Sequence, residues 1–375
     1  MSLKSVVLKG LLLLSVSFVS HAETFVYVSN SDTGKVSHYS LNEKSGKLSF
    51  VNEIDAGLKG MPTAISPDKK YFYSAIRKQP YSIVAWKIDE KTGDLTDKTV
   101  NPISTAYAYI TVDKTGKYLL GASYDKNVVE SYSLDGLSLS KEPVDVYHTG
   151  PHAHSVVVDN TNSSIYVGNL GVDRVLQLKL SADGKMSNIG SGYVETAKDN
   201  GPRHSVVSPD NRFVYNIGEM GGIVTQYLRH SDGSLEKVSE TGSAVQKAYS
   251  LAHGKERPPE YNDPTRRVWA SDLKLTANGK WLYVAERTSS TISGYKVDKK
   301  SGKLTLIGIW ATEKQPRGIG IDPVGKFVIG TGEKSGYISV YKIGADGKLT
   351  KVDRVASGAT DVVSDANWVS VVSYK

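Results

Sequence analysis

One pattern returns seven times along this 375-residue chain, and it constrains the fold more than any other feature. Each copy sets an aromatic residue or a leucine at the centre of a short apolar strand. The central residues are Tyr39, Trp86, Tyr132, Leu178, Tyr227, Tyr295 and Tyr341, spaced by 47, 46, 46, 49, 68 and 46 residues. A polar turn with a glycine follows every copy: Gly46, Gly93, Gly136, Gly184, Gly233, Gly302 and Gly347. Glycine takes positive φ there at no steric cost. A strand–turn–strand unit precedes each copy, as in Ser205–Val206–Val207–Ser208–Pro209–Asp210 leading on to Phe213–Val214–Tyr215. Each repeat therefore holds about four short strands, and a period of roughly 40–50 residues built this way signals propeller blades. The 3.6-residue periodicity of a helical solenoid is missing.

The chain ends predict how the ring closes. Thr24–Phe25–Val26–Tyr27–Val28 opens without the strand that begins other repeats, and Asn367 to Tyr374 supplies a lone strand. Pairing the two completes a seventh blade and removes two open sheet edges. The expectation is an all-β, seven-bladed propeller with four-stranded blades, forming a single domain over residues 23–375. The 68-residue spacing carries an insertion near 246–268, expected to act as a flap over the channel mouth.

The first 22 residues read differently. Lys4 and Lys9 precede the apolar run from Gly10 to Val19, and Ser20–His21–Ala22 puts small residues at the positions a signal peptidase requires. The run is short for a membrane span, so a cleaved secretory signal peptide is expected. The mature protein is then periplasmic or secreted, with no membrane attachment. The formal charge of +7 includes those two lysines, and the remaining basic residues alternate with acids. A nucleic-acid footprint is clustered, so nucleic acid is not an expected partner. Cysteine is absent, which excludes disulfides, a thiol nucleophile and thiolate metal sites.

In a propeller the first strand of each blade lines the central channel, and the second returns so that its far end lies near the start of the first. The tight turn between them serves as a register mark, at Pro67, Lys114, Asp159, Pro209, Ala277 and Pro323. Five residues before these marks stand His154, His204 and Asp272; six before stand Arg203 and Arg317; ten after stand Arg77, Glu219, Arg287 and Glu333. Two histidines, several arginines and several carboxylates at one rim exceed what packing requires. The set suits acyl-oxygen cleavage of a lactone, which needs a base for water and donors for the oxyanion. Either His154 or Glu219 suits the base, and Arg203 and Arg317 suit the oxyanion. His204, Asp272, Arg77 and Arg287 are expected to bind substrate. His152 and His154 lack a third ligand, so neither metal nor other cofactor is expected.

Gly150–Pro151–His152–Ala153–His154–Ser155, Gly201–Pro202–Arg203–His204–Ser205, Asn216–Ile217–Gly218–Glu219, Gln315–Pro316–Arg317–Gly318 and Trp269–Ala270–Ser271–Asp272 resemble segments of the seven-bladed lactonase family. That family includes bacterial 6-phosphogluconolactonases and a fungal enzyme that lactonises carboxymuconate. The resemblance spans about Thr24 to Tyr374. It implies a sugar-lactone substrate, an active site of His, Arg, Glu and Arg matched by His154, Arg203, Glu219 and Arg317, and catalysis without an obligatory metal. A signal peptide departs from the cytoplasmic members and favours an unphosphorylated aldonolactone. The competing reading is a non-catalytic envelope propeller that binds a partner through the insertion.

Overall fold

The structure, a computed structural model, describes residues 23–257, 261–358 and 365–374. The expected signal peptide lies outside them. Seven antiparallel sheets follow one another around a ring. Blade 1 joins the chain ends: Ala366–Tyr374 is innermost, followed outward by Glu23–Asn30, Lys35–Leu41 and Leu48–Asp55. Blades 2 to 7 begin at Gly60, Tyr109, Ala153, Pro202, Ala270 and Ile319, each with its first strand innermost. Blade 3 adds a two-residue strand, Ser138–Leu139. Consecutive innermost strands touch all the way round, so the ring is closed.

The recurring pattern is the third strand of every blade, and its seven central residues are buried. Between blades, apolar side chains interleave in clusters such as Phe25, Phe72, Val84 and Trp86. The abundance of tyrosine, 22 residues, has a specific use here. Second-strand tyrosines Tyr27, Tyr73, Tyr166, Tyr215 and Tyr283 donate across to the turn-glycine carbonyls Gly93, Gly136, Gly233, Gly302 and Gly347 of the following blade. Buried hydroxyls are thereby satisfied while their rings fill the space between sheets.

The turn glycines are doubly constrained. Gly347 has φ +80°, and a Cβ there would lie 2.5 Å from the Trp281 ring. Gly347→Ala is therefore expected to destabilise the protein by about 2–3 kcal/mol, the cost of a strained left-handed residue plus displacement of an indole. Urea unfolding measures this; a loss under about 0.5 kcal/mol would mean that the turn relaxes freely.

Candidate active site

The entry into each blade sets the site. Backbone N–H groups of Ser66, Asp113, Asp159, Ser208, Thr276 and Asp322 each donate to the carbonyl five residues on, closing the tight turn after the innermost strand. Counting back five from this common mark gives Met61, Ala108, His154, Arg203, Ser271 and Arg317. Counting back four gives Pro62, Tyr109, Ser155, His204, Asp272 and Gly318. In blade 4 the sequence mark, Asp159, is the first residue of the turn, whereas the marks in the other five blades fall one residue after it. His154 belongs to the level of Arg203 and Arg317, and Ser155 to that of His204 and Asp272.

Several innermost strands carry one extra residue at this height. Pairing skips from Ala153 to Ser155, from Pro202 to His204, from Ala270 to Asp272 and from Ala366 to Trp368. His154, Arg203, Ser271 and Asn367 are therefore bulged. A bulge breaks the alternation of side chains, so neighbours can reach the same side. In blade 5 both Arg203 and His204 face the channel, with Arg203 Nη1 2.9 Å from His204 Nε2. Gly168 makes room for this, since a Cβ there would stand 2.5 Å from the Arg203 carbonyl oxygen.

The deeper level forms a plug. The His204 ring makes edge contacts with Tyr109, Trp368 and His154, at centroid distances of 5.1, 5.7 and 5.2 Å. Tyr109 and Trp368 line a cavity of about 360 Å³ at the opposite mouth, so the plug divides the channel. Trp368 did not emerge from the sequence because its strand ends the chain and no tight turn follows it to give a register.

Above the plug lies an ionic cluster. Arg203 Nε donates to Glu219 Oε2 at 2.8 Å, and Arg287 Nη2 donates to the same oxygen at 2.7 Å. Arg203 Nη1 also donates to the Ser271 carbonyl. Burial would raise the Glu219 carboxyl, but Arg287 and Arg203 outweigh it and hold it at about 2. Among the buried polar atoms without partners are Arg203 Nη2 and His154 Nδ1, with Nε of Arg317 and Arg77 nearby. Burial first, then Arg203, pushes His154 well below an ordinary histidine, so the imidazole is neutral.

The expected site residues fall into three groups. His154, Arg203, Glu219 and Arg287 come together, and Arg287 rather than Arg317 is the second arginine on Glu219. Arg317 and Arg77 line an adjoining cleft of about 400 Å³, where Arg317 Nη1 meets Glu333 Oε1 at 3.3 Å. His154, Arg203 and Glu219 do not line that cleft, yet Arg317 is near enough to depress both His154 and Arg203. His204 and Asp272, expected to face substrate, are buried and bonded to each other at 2.8 Å, His204 Nδ1 to Asp272 Oδ1. Asp272 accepts further from Lys274 and from the backbone N–H of Leu273 and Ile319. Its oxygens are used in holding blades together.

The insertion follows the same mouth. Gly254 donates to Met220, His253 contacts the Asp199 carbonyl, and Glu256 lies 3.2 Å from His152 of blade 4. Arg257 and Arg287 stand 4.0 and 3.8 Å from the Trp269 ring centre. Two guanidiniums so close to one centre occupy opposite faces, so the insertion packs on the indole that carries Arg287. His152 is turned away from His154 by its positive φ of 65° and stacks on Tyr124 at 4.1 Å. Among the described residues no three His, Cys, Asp or Glu side chains gather as a metal site.

The profile described as "Lactonase, 7-bladed beta-propeller" matches residues 25–364. The chain belongs to the seven-bladed β-propeller lactonase family. Relatives of this lactonase-family chain include the 6-phosphogluconolactonase of Photorhabdus laumondii, 32% identical over 349 residues that cover 93% of this chain and 98% of that one. The 6-phosphogluconolactonase of Pectobacterium carotovorum is 31% identical, with coverage of 93% and 98%. In fold, the lactonase chain resembles a periplasmic gluconolactonase of Pseudomonas aeruginosa, with a TM-score of 0.78, 19% identity, and coverage of 94% and 99%.

Proposed function

We propose that the chain hydrolyses a sugar lactone of the glucono-1,5-lactone type, outside the cytoplasm, with no metal or other cofactor. The observation that carries this is the pair of unpartnered buried atoms, Arg203 Nη2 and His154 Nδ1, beside the Arg203–Glu219–Arg287 ion pairs. A buried donor without a partner costs free energy, and a ligand oxygen relieves that cost.

In the reaction, water attacks the acyl carbon while its proton passes to the neutral His154 imidazole. The carbonyl oxygen becomes an oxyanion and accepts from Arg203 Nη2. Collapse expels the ring oxygen, which takes the proton from His154, leaving the open-chain aldonic acid. Imidazolium is disfavoured beside three arginines, so His154 is itself a weak base that holds the proton only briefly and returns it readily to the ring oxygen. Glu219, ionised and shared by two guanidiniums, is a weak base. Its role is to aim Arg203 and Arg287.

The cleft beside Arg317 takes the hydroxylated tail. Its four basic side chains are matched by four acidic ones, a balanced polar lining that suits a neutral polyol better than a phosphate ester. The signal peptide expected from the N-terminal sequence supports the same preference.

The test is acid release from glucono-1,5-lactone and its 6-phosphate, with and without chelator. Hydrolysis above the spontaneous rate, unaffected by chelator and faster for the unphosphorylated lactone, is expected. Background rates across a panel of aldonolactones would end this reading.

A further inference from the structure

Arg203 is held by a chain of contacts that crosses the plug. At the opposite mouth, where Lys274 lines the cavity, Lys274 Nζ donates to both Asp272 oxygens at 3.0 and 2.9 Å. Asp272 Oδ1 lies 2.8 Å from His204 Nδ1, and His204 Nε2 lies 2.9 Å from Arg203 Nη1. An arginine nitrogen can only donate. His204 Nε2 must therefore accept, which places the ring proton on Nδ1, where it is donated to Asp272. The imidazole has no freedom to do otherwise, because Tyr109, Trp368 and His154 pack against it from three other blades.

We propose that His204 is a positioning residue: the Asp272 carboxylate fixes its tautomer, and Nε2 then fixes the rotation of the Arg203 guanidinium so that Nη2 is presented to the substrate oxyanion. Without that acceptor, Arg203 keeps its charge and its bonds to Glu219 and to the Ser271 carbonyl, but Nη1 loses its second acceptor and the side-chain hold on the plane that presents Nη2 is gone. The substrate role rests on the hydrolytic reading above; the tautomer and the hold on Arg203 do not. The logic is that of a carboxylate orienting a histidine, with the histidine orienting an arginine in place of a nucleophile.

Two measurements on the full mature chain decide the matter. Imidazole ¹⁵N correlation spectra, with His204 assigned by its loss in His204→Gln, should show the Nδ1–H tautomer at pH 7. Asp272→Asn should convert it partly to Nε2–H. A wild-type Nε2–H tautomer overturns the proposal. In kinetics on glucono-1,5-lactone, His204→Leu should lower kcat about 100-fold with KM within about threefold, the scale of losing one oriented donor. His204→Gln, whose amide oxygen reaches the position of Nε2, should regain at least about tenfold over His204→Leu. His204→Asn keeps a donor for Asp272 and no acceptor for Arg203, so it should behave as His204→Leu does and serves in its place if that variant fails to fold. A glutamine variant as impaired as the leucine or asparagine variant, or a leucine variant within about threefold of wild type, overturns it. A wild-type chain inactive on lactones refutes the hydrolytic reading instead, and the spectra still decide the hold on Arg203.

Discussion

Arg203→Lys is expected to lower kcat/KM for glucono-1,5-lactone by about 10²–10³-fold while the chain stays folded. A lysine keeps one positive charge in the cluster. It cannot bond Glu219 and the Ser271 carbonyl while also reaching His204 and an oxyanion, as the planar fork does. Arg203→Met should lose more activity and also stability, by about 3–5 kcal/mol, because Glu219 would retain only Arg287 as a buried counter-charge. Initial rates corrected for spontaneous hydrolysis, beside thermal melts of each variant, separate the two effects. A lysine variant within threefold of wild type would rule out Arg203 as the oxyanion donor.

Acid should destabilise the fold well before its carboxylates protonate. His154 lies well below the ordinary histidine value, and His204 is pushed down to about 3, in each case by burial first and then by Arg203. In the native protein His204 stays neutral near pH 5 and His154 resists protonation in the same sense, whereas in the unfolded chain both take up a proton below about 6.5. Their stabilising contribution is complete above that unfolded value and is lost as pH falls towards the folded one. Between pH 7 and 5 His204 should cost about 2 kcal/mol, and His154 adds a loss of the same sign. His204→Gln should remove the His204 share of that dependence. Below about pH 4.5 the depressed carboxyls of Glu219 and Asp272 add a second loss of the same sign. Urea unfolding at pH 7 and 5 reads the first step directly. Equal stability at the two values would mean that both rings are charged in the native state.

The sequence exposed the ring because its signal is local and repeated. Tyr39, Trp86 and Tyr132 each report the same third strand, and the turn glycines mark where each strand ends. The pairing of Glu23–Asn30 with Ala366–Tyr374 followed from the strands missing at each end. Counting from the tight turns also brought His154, Arg203, Glu219 and Arg287 to one rim. That count failed where its marks were not equivalent. In blade 4 the mark, Asp159, is the first residue of the turn, whereas the other marks stand one residue further on, so His154 shifted by a level. Trp368 had no following turn to be counted from.

What the chain determines by itself is its periodicity: apolar and aromatic residues at strand spacing, and glycines where the backbone must reverse. These are nearest-neighbour properties, and they suffice to specify seven similar sheets and the ends that join them. Which side chains meet in the channel was decided only by the folded ring. Bulges at His154, Arg203 and Ser271 re-aim side chains that plain alternation would send to the other face of the sheet. The choice of Arg287 over Arg317 as the second partner of Glu219, and the burial of His204 against Asp272, depend on distances between blades more than 60 residues apart in sequence. Electrostatic partnership falls off over a few ångströms, and only tertiary closure fixes separations on that scale.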